Sequence, residues 1–250
     1  MLLSIPGLLP RSDKTHVVRD NETETWRSDY TQRKVGVPQV LLVEQLIPGS
    51  EILPHFHGID QFQVFMDGEG KLGRHVIAPI SIHYTNGYTG YGPIVAGKRG
   101  LSYYVLRPDF DAMGSQYLHV SESRKNLKRG SKRFFIAEGI RARSRQDLRQ
   151  LPAPEVERVI GVAQDDPDAG LFADIANLPP HTPYTGTDPS LGRGQVYIVL
   201  EGGLVHEDRN LAVRAAIVVT ADEPRVTFTS GADGLQVMIL QYPRRVQPAA

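Results

Sequence analysis

The chain has 250 residues, 28 Lys+Arg against 28 Asp+Glu, 40% apolar residues and no cysteine. That length admits one large domain or two small ones, and zero net charge argues against a protein whose main business is coating nucleic acid or an anionic membrane. Without Cys there are no disulfides, thiolate metal sites, Fe–S clusters or cysteine nucleophiles, so any metal must be held by His, carboxylate, amide or phenol groups.

The first ten residues, MLLSIPGLLP, are apolar but interrupted by Pro6 and Gly7, with no preceding positive charge and no small-residue cleavage site. They read as neither a signal peptide nor a membrane span, and the expectation is a soluble, cytoplasmic protein. Beyond them, 24 Gly and 18 Pro punctuate short apolar runs. This predicts strands over 40–47, 62–66, 76–84, 102–106, 133–137, 158–163, 195–200, 212–219, 225–229 and 235–241. The best amphipathic helix is 145–151, and Val156, Val159 and Ile160 fit a helix or a strand equally well. The fold class is all-β with few short helices.

Residues 61–106 match residues 195–240 without a gap, at a constant offset of 134. Gln61, Asp67 and Gly68 correspond to Gln195, Glu201 and Gly202, and Gly97, Gly100, Leu101 and Leu106 to Gly231, Gly234, Leu235 and Leu240. The chain therefore reads as two copies of one all-β module, over 1–120 and 152–250, joined by a connector at 121–151.

The densest chemical signal runs from Gly49 to Gln61 and contains Pro54-His55-Phe56-His57. Pro54 disfavours helix, and on an extended strand residues two apart share a face, so both imidazoles can converge on one divalent ion. Gln61 follows a Gly58 bend, where its amide oxygen could serve as a third ligand. The plainer alternative is an ordinary His-x-His pair on a surface strand.

This segment resembles the first motif of the cupin superfamily: Gly, five residues, His-x-His, three or four residues, Glu, six residues, Gly. Gly49, His55, His57 and Gly68 match at that spacing, and Gln61 stands where the family has Glu. The resemblance implies two tandem jelly-roll β-barrels, a bicupin, with a metal at His55, His57 and Gln61. Fe(II) comes first, with Mn, Ni or Zn as the other candidates. The amide in place of the carboxylate removes the anionic ligand and should weaken the site. The family's second motif normally supplies another His, and no good match is present. The internal repeat places that position at Arg225 in the second module and Tyr91 in the first, where a phenolate would need its pKa lowered to bind metal. His83 is the competing ligand, because it alternates with Ser81 and Thr85 on one strand face and could point into a polar cavity. In the second module Pro189 and Leu191 occupy the positions of His55 and His57, so the metal ligands are lost there.

Tyr84, Tyr88, Tyr91, Tyr103 and Tyr104 cluster near the motif, and Tyr88 and Tyr91 are the expected substrate contacts. The basic stretch from Arg124 to Arg149 reads as a solvated face or a dimer contact, and Asp109 and Asp111 as rim residues. No phosphate loop, nucleophile elbow or dinucleotide fingerprint occurs. The leading expectation is a metal-dependent bicupin oxidoreductase of the dioxygenase kind, architecturally similar to ring-cleaving enzymes such as those for gentisate. His83 or Tyr91 would complete the shell, the substrate would be a small organic molecule, and the oligomer a homodimer without nucleic-acid or membrane partners. The alternatives are a non-catalytic small-molecule-binding bicupin and a metal-dependent isomerase or lyase.

Overall fold

The structure is a computed structural model that describes residues 1–19, 21–128, 130 and 132–244. It is almost entirely antiparallel β and forms two compact units. One is Pro10–Arg141; the other combines Met1–Leu9 with the chain from Ala142 onward. The first nine residues join the later unit because strand Leu2–Ile5 pairs with Ala216–Val219. The connector expected at 121–151 is divided: strand Phe134–Ala137 pairs with Ser81–Thr85 and so belongs to the first unit. Helix Arg145–Arg149 belongs to the second, capped by the reciprocal bonds of Ser144 and Asp147. No helix among the described residues is long and apolar enough to cross a membrane.

In the first unit, strands Gln61–Leu72 and Ile94–Arg107 pair along most of their length at the centre of a sheet. Strand Ser81–Thr85 flanks one side, and Gln39–Gln45, Glu24–Asp29 and Thr15–Val18 follow on the other. The second unit repeats the pattern. Gln195–His206, Arg209–Leu211 and Ala216–Val219 stand where the offset of 134 places Gln61–Leu72, His75–Ile77 and the end of Ser81–Thr85. Together the two units are jelly-roll barrels of the same design.

Glycines read as strand ends proved to lie inside long strands. The runs 62–66 and 102–106 extend to Gln61–Leu72 and Ile94–Arg107, and 225–229 and 235–241 fuse into Thr227–Gln241. The register of Gly68 opposite Leu101, next to a bulge, recurs as Gly202 opposite Leu235. Gly68 has φ 77°, and a Cβ there would lie 2.1 Å from the Gly100 carbonyl oxygen, as one at Gly202 would from that of Gly234. Gly68→Ala is therefore expected to cost more than about 2 kcal/mol, read from the urea transition of the sole tryptophan, Trp26, which lies in this unit. The run 76–84 is split at Pro79, which has no N–H to donate. The ambiguous 156–160 pattern is strand Glu155–Gly161. Strand Phe172–Leu178 escaped notice because it is buried on both faces and lacks alternation.

The interiors differ in kind. The second barrel is filled by an apolar cluster including Tyr197, Val199, Ile217, Phe228, Val237 and Ile239. The first has an apolar cluster as well, including Leu41, Phe65, Leu72 and Leu101, and buries beside it a larger, partly charged polar group: His55, His57, Gln61, Gln63, His83, Arg107 and Asp111.

Candidate functional site

His55 and His57 are buried, as is Gln61 at the start of its long strand. Pro54 keeps the preceding chain extended, and His55 exchanges both backbone hydrogen bonds with Tyr91, at 3.1 and 3.0 Å. That bridge sets the two side chains against each other, with ring centroids 4.6 Å apart; the two imidazoles are 5.2 Å apart. Thus the sequence-predicted His55, His57, Gln61 and Tyr91 do come together.

A directed hydrogen-bond chain links them. His55 Nδ1 lies 2.8 Å from the Leu53 carbonyl, which can only accept, so the ring proton is assigned to Nδ1 and Nε2 accepts from the Tyr91 hydroxyl at 2.8 Å. The Tyr91 oxygen in turn accepts from Gln61 Nε2 at 2.5 Å. The other end of that amide, Oε1, accepts from Arg107 Nε and Nη2 at 3.1 and 2.9 Å, and Arg107 Nη1 donates to Gln39 Oε1 at 2.5 Å. His57 Nδ1 is bonded to Asp111 Oδ2 at 2.6 Å, which leaves Nε2 to face Arg107 Nη2 at 3.2 Å. Arg107 Nη1 is 4.0 Å from Asp111.

The charge states follow from burial. Desolvation, reinforced by neighbouring His57, holds the His55 pKa well below the usual imidazole value. The same cause with the Arg107 charge lowers His57 to about 4, and burial lowers His83 to about 3. Burial pushes the Tyr91 hydroxyl up, so it remains a protonated donor rather than the phenolate a metal would require. Burial also opposes ionisation of Asp111, but the His57 hydrogen bond and the Arg107 charge outweigh it and its pKa is lowered. At neutral pH the centre contains neutral imidazoles, one carboxylate and one guanidinium.

This donor set does not fit a divalent ion. The Nε2 of His55 is engaged by Tyr91, and the Nε2 of His57 and the Oε1 of Gln61 both face Arg107. A guanidinium about 4 Å from a divalent cation would oppose it by about 8 kcal/mol at an effective dielectric of about 20. Among the described residues there is also no group of three or more His, Asp or Glu arranged to hold a metal.

The other expected residues lie elsewhere. His83 is fully buried, bonds Gln63 Oε1 through Nδ1 at 2.8 Å, and leaves Nε2 without a partner. Its ring packs 5.1 Å from Tyr91 and 4.5 Å from Phe134, beside the cavity rather than on its lining. Tyr88 is half-buried at φ 63°, packed on Phe56 and under the Lys128 ammonium, and it does not line the cavity either. Only Tyr91 of the two expected substrate contacts does so.

The cavity has a volume of about 160 Å3 and is lined by alternate residues of successive strands: Val17 and Arg19, Thr25 and Arg27, Gln39, Leu41 and Val43, and Tyr103, Val105 and Arg107. Arg107, Arg19, Arg27 and Arg33 line the cavity without having been singled out in the sequence, and Asp111, expected at the rim, is buried against His57. The signal for Arg107 was present: in a strand with period two, Tyr103, Val105 and Arg107 share one face.

No protein-family model matches the chain, and no curated protein matches it. Solved structures do. It aligns with quercetin 2,3-dioxygenase from Acinetobacter baumannii at 12% identity and TM-score 0.52, over 97% of this chain and 79% of the other. With a variant of oxalate decarboxylase from Bacillus subtilis the values are 12%, 0.57, 98% and 78%. With the bacterial pirin from Escherichia coli solved in complex with nickel(II) they are 9%, 0.53, 97% and 100%. At such identities the likeness establishes the fold: this chain has the cupin fold, in two copies.

Proposed function

We propose that the N-terminal barrel is a small-molecule-binding cupin site in which the Arg107 guanidinium, rather than a metal ion, supplies the positive charge. The observation that carries this reading is the placement of Arg107, within 3.2 Å of both Gln61 and His57. Four of the residues that a metal reading needs are already bonded among themselves or to that cation. The second barrel, with an apolar interior, serves as scaffold.

The metal-dependent reading is the alternative, as a dioxygenase acting on a small organic substrate such as an aromatic one, or as an isomerase or lyase. What supports it is the convergence of His55 and His57 and the likeness in fold to a structure named as a dioxygenase and to another solved with nickel(II). It requires Arg107 to give up its present partners.

Metal analysis separates the two. Untagged protein is expected to carry less than about a tenth of an ion per chain, and a His55→Ala, His57→Ala double variant to be no different. Arg107→Gln, which removes the charge and keeps an amide, is expected to raise zinc or nickel affinity by at least about a hundredfold. Stoichiometric metal in wild type that disappears in the double variant, together with oxygen uptake on a catechol or gentisate panel, would establish the dioxygenase instead.

A further inference from the structure

The structure assigns a ligand class to this cavity: we propose that it binds a small organic acid through its carboxylate. The inference rests on the metal-independent reading above and adds what the site takes.

Four arginines, Arg19, Arg27, Arg33 and Arg107, line the cavity against a single carboxylate, Asp111, among the described lining residues. The histidines add no charge, because they are buried and neutral. Exposure rises along the series: Arg107 is 7% exposed, Arg19 and Arg27 are half-buried and Arg33 is exposed. The cationic charge thus runs from solvent to the barrel interior, an arrangement that draws anions inward. Arg27 is paired with Asp29, which discounts its share. Arg19 is only partly engaged: Nη1 donates to the Tyr117 hydroxyl at 2.8 Å, and its buried Nε has no partner. Arg19 itself lines the cavity, with that nitrogen enclosed by protein.

The fold does not demand this charge. The position equivalent to Arg107 in the second barrel is Gln241, which accepts from Gln195, the equivalent of Gln61, at 2.7 Å. One jelly roll closes this slot with a neutral amide pair, and the other places a guanidinium there and surrounds it with polar groups. A buried cation is costly to retain unless something requires it.

Size and walls narrow the ligand further. A cavity of about 160 Å3 suits a small ligand. Leu41, Val43, Ile52 and Val105 give it an apolar side. That suits a carbon skeleton, whereas inorganic phosphate or sulfate would leave these walls without contact. Planar guanidinium groups match the carboxylate fork.

The test is calorimetric titration of the full chain after metal removal, with acetate, glycolate, oxalate and malonate, their neutral amides, and inorganic phosphate and sulfate. At least one carboxylate is expected to bind saturably, at least about tenfold tighter than its amide, with affinity falling as salt rises. Arg107→Gln should lose at least about tenfold, and Arg33→Gln, at the exposed end, about two- to fivefold with a weaker salt dependence. Arg33→Gln keeps the experiment decisive if the buried variant does not fold. Equal binding of acids and amides, binding of phosphate or sulfate alone, or no binding to metal-free protein carrying no resident ion would overturn the proposal and leave the metal-independent reading standing. Carboxylate binding seen only after metal is restored would overturn that reading as well.

Discussion

Replacing Arg107 by alanine is expected to destabilise the N-terminal barrel by about 3–5 kcal/mol, the range found when one partner of a buried charged network is removed. Arg107 is 7% exposed and donates to Gln39 and Gln61 while facing His57 and Asp111. Alanine strips these acceptors of their donor and leaves Asp111, 8% exposed, without its neighbouring cation. Arg107→Gln should cost about half as much, since it removes the charge but keeps a donor, as the second barrel does with Gln241. Trp26 belongs to the same unit as Arg107, so its fluorescence follows this barrel during urea unfolding. A loss below about 1 kcal/mol for alanine would mean that the guanidinium is not held as described.

Acid is expected to unfold the same barrel well before its carboxylates titrate. His57 and His83 have folded pKa values of about 4 and 3, lowered chiefly by burial from 6.5, and His55 is lowered in the same direction. Between the folded and unfolded values the unfolded chain binds more protons, so the stability these groups contribute is present above pH 6.5 and is lost as pH falls below it. Each histidine adds a slope of about 1.4 kcal/mol per pH unit, ending near its own folded value. Urea midpoints followed at Trp26 should therefore fall steadily from pH 6.5 to 4.5. His83→Gln, which keeps an amide opposite Gln63 and cannot take up a proton, should reduce the slope by about 1.4 kcal/mol per unit. An unchanged slope in that variant would show that His83 charges freely in the folded state.

Much of the site was legible in local sequence. The His55–His57 pair is read from Pro54 and an extended chain, and the structure buries both rings rather than leaving them on a surface strand. Tyr91 was found through the repeat, because the second copy serves as a ruler for the first. Burial there favours the neutral hydroxyl, which donates to His55. Tyr88, at a positive φ, packs against Phe56 and Lys128 and does not line the cavity. The strand runs read from sequence stop short of Gly68 and Gly100 because glycine permits both a turn and a bulge, and only the partner strand decides between them.

Sequence by itself determined that the chain is a duplicated all-β protein, that its second copy lacks the histidine pair of the first, and which strand residues share a face. Those properties follow from the two-residue period, from the offset of 134 and from the chemistry of single side chains. Only the tertiary structure decided what sits at that centre. Arg107 is 46 residues from Gln61 and 68 from Gln39. It reaches both because Ile94–Arg107 pairs with Gln61–Leu72 on one side and with Gln39–Gln45 on the other, in registers that bring the strand ends together. Strand register is a long-range property that no local pattern encodes, and here it put a guanidinium where the histidine spacing alone suggested a metal ion.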